Sequence, residues 1–204
     1  MAGERVMLFA DRALFWPRAS ALLIADLHLG KADAFRAAGI ALPSGGTRHD
    51  LDRIGTLIDR TKAARLIVLG DMLHGSTKPK RWREAWDEWH GRHATLCIDV
   101  IAGNHDRALA SAGLDVVHHE DALAIAPFEL RHAPSQASDA HVICGHVHPV
   151  VRLPGIMKRW SAFVIGEEQT ILPAFSAFTG GAEVDPIGAR LAVCNGAEIA
   201  LFGP

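Results

Sequence analysis

At 204 residues, 49% hydrophobic and 22% charged, the chain is long enough to bury roughly 70% of its unfolded surface around one core. The composition excludes a disordered or fibrous protein. The net charge of −2 argues against nucleic-acid binding through bulk electrostatics, although a local basic groove stays open. The scattered cysteines Cys97, Cys144 and Cys194 sit in apolar runs without metal-site spacing and read as small core residues in a reducing compartment. No apolar run approaches the roughly 20 residues that span a bilayer, and residues 1–6 lack the h-region of a signal peptide. A cytoplasmic protein without a membrane partner is expected.

In chain order, residues 6–10 and 13–16 read as short strands around an Asp11-Arg12 turn, and Leu22-Leu23-Ile24-Ala25 as a strand leading to Asp26 and His28. Residues 30–38 read as a short helix with Gly39 just past its end. Ser44 is a candidate to open the next helix, in which Leu51, Ile54, Leu57 and Ile58 recur at helical spacing. Leu66-Ile67-Val68-Leu69 is a buried strand that stops at Gly70 and presents Asp71. A helix from 79 to about 94 carries Trp82, Trp86 and Trp89 at i, i+4 and i+7. That stripe could stack bases, helped by Lys78, Lys80, Arg81 and Arg83, but its spacing favours an apolar face packed on the sheet. Residues 98–102 form a strand leading to Gly103-Asn104-His105-Asp106, and Val142-Ile143-Cys144 leads to Gly145-His146-Val147-His148. Residues 107–112 read as a brief helix, and 116–117, 122–126 and 128–131 as strands; most of the remainder is strand broken by Gly and Pro turns. With no linker, repeat or low-complexity tract, a single domain over 1–204 is expected.

Four strands thus deliver oxygen or imidazole donors just past their C-terminal ends, the edge of an open α/β sheet where ligands bind. The donors are Asp26, His28, Asp71, Asn104, His146 and His148. Asp71 comes alone, which assigns it the bridging position between two metal ions. One more imidazole is wanted between Asn104 and His146, and His118, His119, His132 and His141 are available. His141 begins its strand, at the wrong edge; His118 and His119 follow a short strand; His132 ends the run 128–131 on the correct edge and is chosen. Mixed carboxylate, amide and imidazole ligation suits Mn²⁺, Fe or Zn²⁺ better than Ca²⁺, and the lack of thiolates argues against a structural zinc site.

These blocks, in the pattern D-x-H, G-D, G-N-H-D/E, H, G-H-x-H, resemble the calcineurin-like metallophosphoesterase superfamily and span residues 26–148. At finer scale, Phe15-Trp16-Pro17, residues 25–31, Phe35-Arg36, residues 69–74 and Phe175-Ser176-Ala177-Phe178-Thr179-Gly180-Gly181 are similar to the ligase-associated DNA damage response endonuclease family (PdeM). The resemblance implies a four-layer α/β/β/α sandwich carrying two divalent metals, commonly Mn²⁺. It also implies that Asp26, His28, Asp71 and His148 hold one metal and Asp71, Asn104, His132 and His146 the other. The strand-rich second half independently suits a second sheet packed on the first.

His105 and Asp106 form the implied catalytic pair. His105, one residue past a ligand, is placed to protonate the leaving oxygen, with Asp106 holding its imidazole protonated and oriented. A metal-activated hydroxide is the expected nucleophile. Lys31 and His74, near ligands in sequence, are possible phosphate contacts. The expected function is a phosphodiesterase or endonuclease acting on single-stranded or nicked DNA in repair, with ligase, helicase or exonuclease partners implied by the resemblance. The alternative is a phosphomonoesterase acting on a nucleotide or small metabolite. A binding scaffold that had lost catalysis should show eroded ligands, and none is eroded.

Overall fold

In the computed structural model, which describes residues 1–41, 45–74, 81–153, 155, 157–184 and 189–203, the first half of the chain alternates strands with helices. Strands β1 (Met7–Phe9), β2 (Ala13–Trp16) and β3 (Ala21–Ile24) form an antiparallel meander. From β3 onward the sheet is parallel, through β4 (Arg65–Leu69), β5 (Cys97–Ile101) and β6 (Val117–His119). Helices α1 (Lys31–Ala37) and α2 (Gly46–Thr61) connect β3 to β4, and α3 (Arg81–Arg92) connects β4 to β5. Parallel neighbours need such crossovers, whereas the antiparallel meander needs only tight turns.

The second half supplies β7 (Ala122–Ile125), β8 (Phe128–Arg131), β9 (His141–Cys144), β10 (Pro149–Arg152), β11 (Arg159–Ile165), β12 (Gln169–Ile171), β13 (Ala182–Glu183), β14 (Arg190–Cys194) and β15 (Ile199–Phe202). They form a second sheet in the order β13-β10-β11-β12-β9-β8-β7, with β14 paired to β11 and β15 to β14. The architecture is the expected α/β sandwich with two sheets.

Side chains alternate across each strand, and that alternation sorts the core into layers. Leu22, Ile24, Leu66, Val68, Ile98 and Val100 pack with Leu51, Ile54, Leu57 and the tryptophans of α3. Their neighbours Leu23, Ala25, Ile67, Leu69 and Ile101 pack with Phe128, Leu130, Ile143, Phe163 and Leu172 of the second half. The far side of the second sheet carries a small cluster of Val151, Ala162, Leu191 and Val193. All α-helices of the described residues precede β5.

Trp82, Trp86 and Trp89 are each no more than 4% exposed, so the stripe is core and cannot stack bases. Lys78, Lys80 and Ser44 lie outside the described residues. Cys144 and Cys194 are buried as expected, and burial pushes both thiols up to about 12. Cys97, at the start of β5, is exposed and not a core residue. Strand β13, only two residues long, left no signal in the sequence. No helix of the described residues is long and apolar enough to cross a membrane.

Candidate active site

The loops leaving β3 and β4 run side by side, which brings their donors together. Gly70 O accepts the Asp26 N–H at 3.1 Å, Asp71 O accepts the His28 N–H at 2.8 Å, and His74 N–H returns to Leu29 O at 3.0 Å. The loops after β5 and β9 are tied in by the carboxylates themselves. Asp26 Oδ2 accepts the His146 N–H at 3.0 Å, and Asp71 Oδ1 accepts the His105 N–H at 2.9 Å. Asp26 thus keeps Oδ1, and Asp71 keeps Oδ2, for the interior of the site.

The chain is bent hard to do this. Asp26, His28, Asp71, His146 and His148 all adopt left-handed backbone, with φ between 50° and 68°. Such geometry costs a non-glycine residue about 1–3 kcal/mol and gathers at functional sites. Space is equally tight: a Cβ on Gly70 would lie 2.1 Å from His132 Nδ1, and one on Gly103 would lie 2.2 Å from Asp71 Oδ1. Glycine before the donor is therefore required by the close approach of the neighbouring ligand loop.

Ligand-type atoms of Asp26, His28, Asp71 and His148 all lie within 4.8 Å of one another. The first three residues are almost wholly buried, yet Asp26 Oδ1, both His28 nitrogens and His148 Nε2 have no hydrogen-bond partner among the described residues. Asp26 Oδ1 and His148 Nε2 are 3.1 Å apart without a proton aligned between them. Buried polar atoms left unpaired are costly, and one such atom from each of Asp26, His28 and His148, gathered with Asp71, fits a divalent cation. Burial, with repulsion from Lys31 and the surrounding imidazoles, pushes His28 down to about 2, so it presents the neutral ring that ligates. His148 Nδ1 donates to Gly180 O at 3.2 Å, which leaves Nε2 as the lone pair facing Asp26.

A second group adjoins the first. His132 Nδ1 donates to Leu69 O at 3.1 Å, so its Nε2 also presents a lone pair. That Nε2 meets Asn104 Oδ1 at 3.0 Å, His146 Nδ1 at 3.0 Å and Asp71 Oδ1 at 3.7 Å. Asp71 Oδ2 faces the other way, 3.9 Å from His28 Nε2. The two oxygens of Asp71 thus point into two different imidazole clusters. His141 is instead bound to Glu167 O and Thr170 Oγ1, and His119 to Asp99; His118 is an exposed residue of β6.

The expected pairing of Asp106 with the His105 imidazole is corrected. The Asp106 carboxylate accepts three backbone N–H groups, from Gly103 at 2.9 Å, Met72 at 3.2 Å and Leu73 at 2.8 Å. It therefore clamps the Asn104 loop to the Asp71 loop. Burial raises its pKa against those bonds, and the nearby Asp71 adds to the rise. His105 is held by its backbone and by ring stacking on His74 at 5.2 Å; its side chain is 42% exposed, with Nε2 4.0 Å from Asp71 Oδ2. Lys31 donates to Thr179 Oγ1 at 3.2 Å, and burial lowers its pKa although Asp26 and Asp71 pull it up. The 179–180 segment, which steadies both Lys31 and His148, carried no donor pattern that spacing alone could reveal.

No family model and no curated protein matches the chain. Among solved structures, the Pseudomonas putida nuclease MPE is 36% identical, with 97% of this chain and 96% of that chain covered at a TM-score of 0.84. The phosphoesterase YfcE from E. coli is 16% identical, with 89% and 97% covered at a TM-score of 0.50, a likeness of fold alone. With its buried aspartate–histidine cluster at the strand ends, the chain belongs to the metallophosphoesterase family together with the nuclease MPE, and is a metal-dependent hydrolase of phosphate esters.

Proposed function

We propose that this protein is a dinuclear metal-dependent phosphodiesterase that cuts DNA, single-stranded or nicked, as a cytoplasmic repair endonuclease working alongside ligase, helicase or exonuclease partners. Likeness to a nuclease over nearly the whole chain carries the reading. In it, Asp26, His28, Asp71 and His148 hold one ion and Asp71, Asn104, His132 and His146 the other, with Mn²⁺ expected and Fe or Zn²⁺ compatible with the same donors. The opposed oxygens of Asp71 support its sharing between the two ions. When bound, such ions supply Lewis-acid clamping of the phosphoryl group and a nucleophile at neutral pH.

The protein's own residues do the rest. His105 presents Nε2 at the exposed side of the site and gives its proton to the departing oxygen. His74, stacked beneath it, limits the rotation of that ring. Asp106 holds no proton for His105; it fixes the two loops that carry Asp71 and Asn104. Lys31, beside Asp26 and Asp71, offsets substrate charge.

The test compares the purified protein with Mn²⁺ on a small phosphodiester, a phosphomonoester and single-stranded DNA. Diester and DNA cleavage that vanishes in Asp71→Asn is expected; turnover of the monoester alone would replace the nuclease reading with a phosphomonoesterase. His105→Ala should retain bound metal while turnover falls by about 10²–10⁴, most severely on esters with poor leaving groups. Normal turnover on such esters would remove the general-acid role.

A further inference from the structure

A cleft of about 680 Å³ lies where the β1–β2 turn and α2 face the start of β11 and the β14–β15 turn. Its size is within the ~300–1,000 Å³ of cavities that enclose small organic ligands. One wall carries Arg12, His49 and Arg53, and the other Lys158, Arg159 and Trp160. Among the described residues, four permanent cations line it against one carboxylate, Asp11, on a chain whose net charge is −2.

The cleft is not the metal centre, but the two share a wall. Thr179, Gly180 and Gly181 line it, while Thr179 holds Lys31 and Gly180 O holds His148. A ligand filling the cleft therefore ends one loop away from His148.

Arg53 is held within the protein, donating to Asp50 Oδ1 and Phe175 O at 2.9 Å each and to Asp11 O at 2.5 Å, whereas Arg12 keeps donors to spare. Arg12 donates its Nη1 to Ala174 O and Ser176 O at 3.1 and 3.2 Å, and among the described residues its Nε and Nη2 have no acceptor. Burial lowers its pKa, and the adjacent Arg53 guanidinium lowers it further. Across the cleft, the Lys158 ammonium rests 3.8 Å above the Trp160 ring. A base can take that ring face when the ammonium moves to a phosphate, the pairing of cation and aromatic that holds single strands.

We propose that this cleft binds the sugar–phosphate strand flanking the scissile phosphodiester, with Arg12, Lys158 and Arg159 on its phosphates and a base against Trp160. The inference deepens the nuclease reading and rests on it. It makes the cleft the feature that separates a polynucleotide from a small diester, since a small diester reaches the metal centre without entering it.

The test uses the exposed pair Lys158→Ala/Arg159→Ala in the full chain. Binding of a fluorescent twelve-nucleotide oligodeoxythymidine is followed by anisotropy in EDTA, where cleavage cannot intervene. The oligonucleotide Kd should rise at least about tenfold, and the slope of log K against log salt should become shallower by about 1.4, at roughly 0.7 per lost phosphate contact. With Mn²⁺, the oligonucleotide KM should rise while kcat/KM on bis(p-nitrophenyl) phosphate stays within twofold. Equal losses on both substrates, or unchanged binding and slope, would overturn the proposal. Wild-type protein that cuts the oligonucleotide while the variant binds and cuts it equally well would sink the cleft alone. Wild-type protein that neither binds nor cuts it would sink the nuclease reading as well.

Discussion

Two carboxylate–imidazole groups on the same sheet are built from the same residue types and end in opposite states. Asp99 within β5 receives Arg65 Nη2 at 2.8 Å and His119 Nε2 at 2.7 Å, and every one of its oxygens is paired. At the strand ends, Asp26, His28 and His148 keep buried ligand atoms unpaired among the described residues, on backbone bent into left-handed conformations. The first group lowers the energy of the fold by closing its own hydrogen bonds. The second holds energy back for something that arrives later. Polar satisfaction, and not residue type, tells the structural cluster from the reactive one.

Removing one carboxylate from each group should therefore have opposite consequences. Asp71→Asn is expected to lower turnover by more than the about 100-fold that losing an outer partner of a metal ligand costs, with thermal melting in EDTA no lower than wild type. At 100 times its Kd, Mn²⁺ should stabilise the wild type by about 2.7 kcal/mol, a rise of roughly 5–10 °C, and this rise should be largely lost in Asp71→Asn. A variant that melts far below wild type in EDTA would show that Asp71 is structural after all. Asp106 lies between the two cases, since it is fully paired yet serves the site. Asp106→Ala strands three backbone N–H groups and should cost about 3 kcal/mol or more, read by denaturant melting, together with much of the activity. Full activity with only the stability loss would show that the loop spacing tolerates slack.

The donors were legible because each group follows its strand directly: a hydrophobic run, in three of four cases a glycine, then the ligand is a local pattern. His132 took one further step, the choice of strand edge, and the structure brings it within 3.0 Å of Asn104 and His146. What stayed hidden depends on residues distant in sequence. Asp106 adjoins His105 in the chain, so the two were read as a pair, but its true partners Met72 and Leu73 are 34 and 33 residues away. The left-handed bends at five donors leave no mark on a sequence, because aspartate and histidine carry no glycine's signature. The basic cleft was equally hidden. Arg12 and Lys158 lie in different halves of the chain, and only the packing of one sheet on the other sets them facing. The tryptophan stripe shows the converse: its 3.6-residue period already pointed inward, and α3 buries it.

The smallest expected effect is also the sharpest test of the paired group. Asp99→Ala should cost about 2 kcal/mol, discounted because Arg65 remains 29% exposed and keeps part of its hydration. Its pH dependence has a definite sign. Burial pushes the Asp99 carboxyl up, but Arg65 and His119 outweigh it and hold the pKa below the ordinary carboxylate range. The folded state therefore binds fewer protons than the unfolded state, and the group stabilises fully above the unfolded value near 4. That contribution is lost as pH falls through the lower folded value. The groups facing Asp99 are Arg65, His119 and the thiol of Cys97. The gap in melting temperature between wild type and Asp99→Ala should stay wide from neutral pH down to about 5 and close below about 4. A gap that widened in acid would mean that Asp99 is protonated more readily in the folded protein than in the unfolded chain, and that its hydrogen bonds do not offset its burial.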